Sequence, residues 1–307
     1  MAELTPRTEA WRQAGTPVEV SGRRIFLRTR SGDPHRPPVI LLHGYPSSSY
    51  DWRHAFDRLP GHPLIAFDFL GYGLSDKPRD LVYSLAVQAD IVEAILQRFP
   101  GQPVTMVSHD MGSSVATEIL ARDLEGRLSF QLRSALLFNA SLVRERASLL
   151  WGQRLLLSPL GPLAARLTTE FSFRRQFAGI FSSQHPLSAE EAADQWSLLS
   201  RQDGHRLLAR LIHYNRERVT PPFAGRWHGA LADWPGRLEL AWADSDPICT
   251  EDVLQAVLRL RPEAVVTRLP GLGHYPQIED PQTSYQVIER HASDEAAQPL
   301  RPGPRAG

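Results

Sequence analysis

Val107-Ser108-His109-Asp110-Met111-Gly112-Ser113 is the stretch that decides how this chain reads. A short apolar run, residues 104–107 (VTMV), leads into small–x–acid–x–small, and a helical stretch over residues 112–124 follows. Small side chains two positions either side of a central residue let the backbone turn sharply from strand to helix and expose the central side chain. That is the geometry of a nucleophile elbow. Serine commonly occupies its centre; here the residue is Asp110, whose carboxylate can attack an electrophilic carbon and form an ester. An aspartate placed here can also do no more than cap the following helix, so the motif needs support from elsewhere. Ser113 and Ser114 lie past the turn, where their small size suits helix–sheet packing.

Outward from the elbow, residues 38–43 (PVILLH), 64–69 (LIAFDF), 135–138 (ALLF) and 238–242 (LELAW) are further short apolar runs. Such runs fit strands buried on both faces, and residues 23–30 alternate as a half-exposed strand does. Helical stretches lie between several of them, among them residues 84–99 with Ile91, Ala94 and Ile95 on one face. The alternation predicts an α/β fold with a mainly parallel central sheet flanked by helices. Between residues 143 and 229 the rhythm breaks. WGQRLLL, SAEEAADQWSLL and HRLLARLIHY read as helices, with Ser188 and Glu191 as a capping box for the second. The expected organisation is a core of residues 1–142 and 230–293, an inserted helical cap of residues 143–229, and a disordered Pro-, Ala- and Gly-rich tail of residues 294–307. The cap holds more arginine than acid, which reads as solvated helix faces.

Composition excludes several classes. The 307 residues suffice for one large core with an insertion, and 42% apolar with 22% charged residues is ordinary for a globular chain. A formal net charge of +0 argues against a nucleic-acid partner, which calls for a basic field. The one cysteine, Cys249, cannot form an intramolecular disulfide and reads as a small buried residue. No signal-peptide run opens the chain, and no stretch has the ~18 consecutive apolar residues of a membrane span. A cytoplasmic protein with a small-molecule substrate is expected. Neither a paired CxxC nor an HExxH motif occurs, so no metal and no cofactor is expected.

Two further motifs supply what an elbow needs. His43-Gly44-Tyr45-Pro46 directly follows a buried run, where a backbone N–H, that of Tyr45, can face a developing oxyanion together with the N–H of Met111. Leu269-Pro270-Gly271-Leu272-Gly273-His274-Tyr275-Pro276 places His274 on a glycine-rich loop late in the chain, where a base belongs. In Trp242-Ala243-Asp244-Ser245-Asp246-Pro247, Asp246 is the preferred acid to orient the imidazole, and Asp244 is its rival.

Together these blocks resemble the epoxide hydrolase and haloalkane dehalogenase branch of the α/β-hydrolases. HGYPSSSYDWR, FDFLGYGLSDKP, SHDMG and GLGHYPQIEDP look especially close to the mesoderm-specific transcript protein family, with weaker similarity in LSPLGPLAARL and HPLS. The resemblance implies an Asp110 nucleophile, a His274 base that activates water, an Asp246 orienting acid, and an oxyanion hole of Tyr45 and Met111. Haloalkane dehalogenases usually carry asparagine at the position of Tyr45 and tryptophan at that of Met111, so a halide clamp is not expected. Epoxide hydrolases usually have two cap tyrosines; residues 143–229 contain one, Tyr214. Tyr214 is the expected proton donor, or else a packing residue, with His43 and His109 as further substrate contacts. His213, His205 and His185 read as surface residues rather than a second donor. The expectation is an epoxide hydrolase-like enzyme; the alternatives are a haloalkane dehalogenase-like hydrolase and a non-catalytic ligand-binding homologue.

Overall fold

The computed structural model describes residues 3–143, 149–221 and 223–293, so the tail of residues 294–307 lies outside the described residues. The strands are β1 (Thr16–Val20), β2 (Arg23–Arg30), β3 (Val39–Leu42), β4 (Leu64–Phe67), β5 (Val104–His109), β6 (Leu132–Phe138), β7 (Arg237–Ala243) and β8 (Val265–Leu269). They form one sheet in the order β1-β2-β4-β3-β5-β6-β7-β8. β2 runs antiparallel to both its neighbours, and every other pairing is parallel. The chain thus has an α/β-hydrolase fold.

Burial explains the pattern. Every residue of β3, β4 and β5 is buried, as strands covered by helices on both faces must be. In β2 the expected alternation gives way to three consecutive buried residues, Ile25, Phe26 and Leu27. The helix Pro6–Gln13 covers the second face there and sets Trp11 against Phe26. The helices Leu85–Leu96 and Met111–Leu124 pack side by side. Because β3 to β8 share one direction, the loops after β3, β5, β6, β7 and β8 meet at a single edge, where open α/β sheets bind ligands.

Between β6 and β7 the chain forms the helices Trp151–Leu157, Gly161–Arg166, Glu170–Ala178 and Ala189–Ser200. Ser188 caps the last of these through the Glu191 N–H at 3.0 Å. The Glu191 carboxylate binds Arg53 at 2.7 Å and Gln195 at 3.1 Å, so the expected capping box is only half made. HRLLARLIHY is not one helix. It takes the end of a 3₁₀ turn, Arg201–Leu207, and then two short helices, Leu208–Leu211 and Tyr214–Glu217, with Gln202 (φ 53°) and Asp203 (φ 58°) left-handed just ahead of it. The helix Phe223–Asp233 packs on Met111–Leu124 of the core. The expected boundary at residues 229/230 falls inside this helix.

Candidate active site

β5 ends at His109 and the next helix begins at Met111, so Asp110 alone makes the turn. Its φ of 46° and ψ of −115° lie where a side-chain-bearing residue costs about 1–3 kcal/mol. The neighbours must be small for the turn to close. A Cβ on Gly112 would come within 2.5 Å of the His43 carbonyl oxygen, and one on Gly44 within 2.9 Å of the Asp110 Cβ. Ser108, on the other side of the elbow, shares a 3.0 Å hydrogen bond with Ser113.

Asp110 Oδ2 accepts from the Tyr45 N–H at 3.0 Å, and Oδ1 lies 3.9 Å from His274 Nε2. His274 Nδ1 meets Asp246 Oδ2 at 2.7 Å. The other Asp246 oxygen accepts the Ile248 and Cys249 N–H groups at 2.7 and 3.0 Å. Asp244, the rival acid, is exposed and accepts from the Gly271 N–H instead, 2.7 Å away. Burial by itself disfavours the imidazolium, but Asp246, through charge and hydrogen bond, and then Asp110 hold His274 up to about 9. The loop bearing it is tied down from outside: Glu279 accepts from the N–H groups of Gly273 and Tyr275, and the His274 N–H donates to the Ile180 carbonyl at 2.8 Å. A Cβ on Gly273 would sit 2.6 Å from the Ser182 nitrogen, which explains the glycine before His274.

Three contributors escaped the sequence reading. Asn139, at the end of β6 with φ 40°, donates from Nδ2 to Asp246 Oδ2 at 2.8 Å and to the Gly273 carbonyl at 3.0 Å, and accepts from the Ala243 N–H at 2.9 Å. One amide thus joins the loops after β6, β7 and β8. Tyr72 is buried and donates to Met111 Sδ at 3.0 Å. Arg218 is buried, places its guanidinium 4.8 Å from the Tyr214 ring centre and donates to Ser141 and Asn215. The GYG context of Tyr72 was in the chain to be read; nothing local marks Asn139 or Arg218.

Tyr214 is buried, with its ring 5.9 Å from that of Tyr45. Burial, and next the charge of Asp110, raise its phenol, so it remains a proton donor. Burial also raises the phenols of Tyr45 and Tyr72. His43 and His109, expected as substrate contacts, are both buried and bonded within the protein. Burial drives His43 down to about 3, its Nδ1 pairs with the Gly44 carbonyl, and its Nε2 accepts the Phe69 N–H at 3.0 Å. Both ring nitrogens are engaged, and Nε2 joins the loop after β3 to the one after β4. Burial, followed by the nearby His274 charge, lowers His109 to about 4, and its Nε2 donates to the His274 carbonyl at 2.7 Å. His213 is exposed and His205 packs on Trp196. His185 lines a separate polar groove of ≈ 720 Å³ that contains no residue of the Asp110–His274–Asp246 set.

Among the described residues, Asp246, Cys249 and His274 form the one group close enough to ligate a metal. They do not suit one. Burial pushes the Cys249 thiol well up, away from the thiolate a metal needs, and its Sγ donates to the Asn139 carbonyl at 3.0 Å. Above Tyr45 and Pro46 an apolar cavity of ≈ 330 Å³ opens between the inserted helices, walled by Leu156, Phe173 and Phe177.

Residues 39–286 match the model of the alpha/beta hydrolase family. The chain is 49% identical over 278 residues to the putative hydrolase LipZ of Mycobacterium tuberculosis, covering 91% of this chain and 95% of that one. It is 35% identical over 291 residues to the human mesoderm-specific transcript homolog protein, covering 91% and 86%. Among solved structures, the haloalkane dehalogenase DbeA from Bradyrhizobium elkani aligns with a TM-score of 0.77 at 22% identity, over 91% of this chain and 97% of that one. The epoxide hydrolase CorEH aligns at 0.74 and 19%, over 89% and 96%. At these identities the structural likeness speaks for the fold.

Proposed function

The chain belongs to the alpha/beta hydrolase family, and from that premise we propose a cofactor-independent, epoxide hydrolase-like enzyme working through a covalent Asp110 ester. The observation that carries this reading is the position of Asp110: one carboxylate oxygen is held by the Tyr45 N–H and the other faces His274 at 3.9 Å. In the first step Asp110 Oδ1 attacks an epoxide carbon, and the breaking C–O bond leaves its electron pair on oxygen. The Tyr214 phenol gives that oxygen a proton. Esterification cancels the Asp110 charge, one of the supports that hold His274 protonated. The imidazolium then returns a proton to the Tyr214 phenolate and becomes a free base.

In the second step His274 takes a proton from water, and the hydroxide adds to Cγ of the ester. The oxyanion that forms is faced by the N–H of Tyr45 and by that of Met111, which opens its helix where N–H groups lack intrahelical partners. Collapse releases the diol, with the second water proton on its new hydroxyl. Asp246 keeps the imidazole in the working tautomer, and Asn139 positions Asp246. A halide has no comparable cradle, since the Tyr45 hydroxyl donates to the Leu208 carbonyl and the Met111 sulfur accepts from Tyr72. We assign the enzyme to the cytoplasm, in keeping with Cys249 as a buried free thiol.

The test is turnover by the whole chain on a panel of epoxides and haloalkanes, with diol and halide measured separately. Diol formation lost in Asp110→Asn is expected. Halide release without diol would replace the reading by dehalogenation, and binding without any product would replace it by ligand recognition.

A further inference from the structure

Large apolar side chains on the outside of this molecule are not scattered. Of nine among the described residues, five fall within residues 151–171: Trp151 (75% exposed), Leu160 (62%), Leu163 (55%), Leu167 (67%) and Phe171 (75%). Leu160, Leu163 and Leu167 are spaced three and four residues apart and form one stripe along the helix Gly161–Arg166. Trp151 and Leu167 also line the apolar cavity, so the patch borders the space above Tyr45. An apolar surface of this kind around a pocket marks an interaction site rather than ordinary surface. Its charged residues are one-sided. Arg154, Arg166, Arg174 and Arg175 stand against Glu170 alone across residues 150–178, and Arg154, Arg166 and Arg175 are exposed.

We propose that this face docks on an anionic lipid surface, and that the cavity draws lipophilic substrate from the bilayer. Apolar side chains that enter the acyl boundary, ringed by arginines at headgroup level, are the design of proteins that lie on a membrane. A second copy is the poorer occupant, because it would bring two basic faces together. No helix among the described residues is long and apolar enough to span a bilayer, so the attachment is peripheral and reversible. Docking does not depend on the Asp110 chemistry; only the delivery of substrate rests on that reading, and Asp110→Asn is expected to dock as the parent does.

The test is co-sedimentation of the full chain with vesicles of phosphatidylcholine alone and of equal parts phosphatidylcholine and phosphatidylglycerol. The mixed vesicles are expected to bind, and added salt to weaken binding. The triple variant Leu160→Ser, Leu163→Ser, Phe171→Ser is expected to bind at least about tenfold more weakly. The pair Arg166→Glu and Arg175→Glu, which keeps the five apolar side chains of the patch, is expected to weaken binding to the mixed vesicles. Brominated acyl chains read the orientation: Trp151 is the exposed one of the tryptophans, so quenching should appear in the parent and vanish in Trp151→Phe. No binding to mixed vesicles, binding without quenching, or full binding by the triple variant would overturn the proposal. So would a concentration-dependent dimer that the triple variant abolishes, which would give the face to a second copy.

Discussion

At the carboxyl edge of the sheet, Asp246 and Asn139 have their side-chain polar atoms matched to named partners and His274 is held through Nδ1, whereas across residues 151–171 five large apolar side chains face solvent. Tyr45 joins the two regions, since its N–H binds Asp110 and the residue also lines the cavity. Their difference separates two tasks. On the proposed reading the edge serves a reaction by holding a few atoms in place, with Asp110 in a strained conformation. On the same reading the block above governs which molecules arrive, through the shape and polarity of a surface. Substitutions at the edge should therefore abolish rate, and those above it should redirect it.

The largest effect belongs to Asp110→Asn, expected to lower turnover by at least about a thousandfold with an unchanged melting temperature. Steady-state kinetics beside a thermal melt check it; activity within tenfold of the parent would break the comparison at its root. Next, Asp246→Asn should lower kcat by about 10³-fold or more, since the imidazole loses both its tautomer and the charge that supports it. Its pH–rate profile should show the His274 ionisation moved down. Asn139→Leu acts one step removed, through Asp246, and should cost about 10–100-fold in kcat with the same downward movement and little change in KM. Tyr214→Phe sharpens the contrast by substrate: about a hundredfold slower opening of epoxides, where the leaving oxygen needs a proton, and little change for any halide, which does not.

The smallest effect concerns where the two regions join. Asp51 is buried in the core and bridges Ser47 to Gln195 of the helix Ala189–Ser200, at 2.8 Å on the latter side. Burial raises it from an ordinary 3.8 to about 7. A carboxyl raised on folding contributes stability that is fully present below its unfolded pKa and lost as pH rises through the folded one. The tie should thus weaken as pH passes about 7. Asp51→Asn, which stays neutral, should flatten that fall and melt about 3 °C higher than the parent on the alkaline side. Melting curves across pH test this, and an unchanged slope would refute it.

The edge was legible because its chemistry depends on backbone turns that leave local marks. Small residues around Asp110, glycines before His274 and buried runs ahead of each loop are all features of adjacent residues. β8 and β1 are harder to read: their exposed and half-exposed residues leave no apolar run, as edge strands need only one neighbour. Asn139 follows an ordinary strand, and its role exists only once three loops meet. HRLLARLIHY misled because Leu207, Leu208, Leu211 and Ile212 recur at helical spacing, while Gln202 and Asp203 just ahead of it turn left-handed. The patch over residues 151–171 was read simply as helix, since spacing shows a stripe but not whether anything covers it.

The most direct test is peptide mass spectrometry of the His274→Gln variant after exposure to epoxides. This substitution leaves Asp110 free to attack and removes the base that would release the product. The account predicts a stable adduct whose added mass equals that of the epoxide, mapped to the peptide bearing Asp110 and absent when Asp110→Asn is added. An epoxide turned over to diol by the parent, with no adduct on Asp110 in the variant, would contradict it.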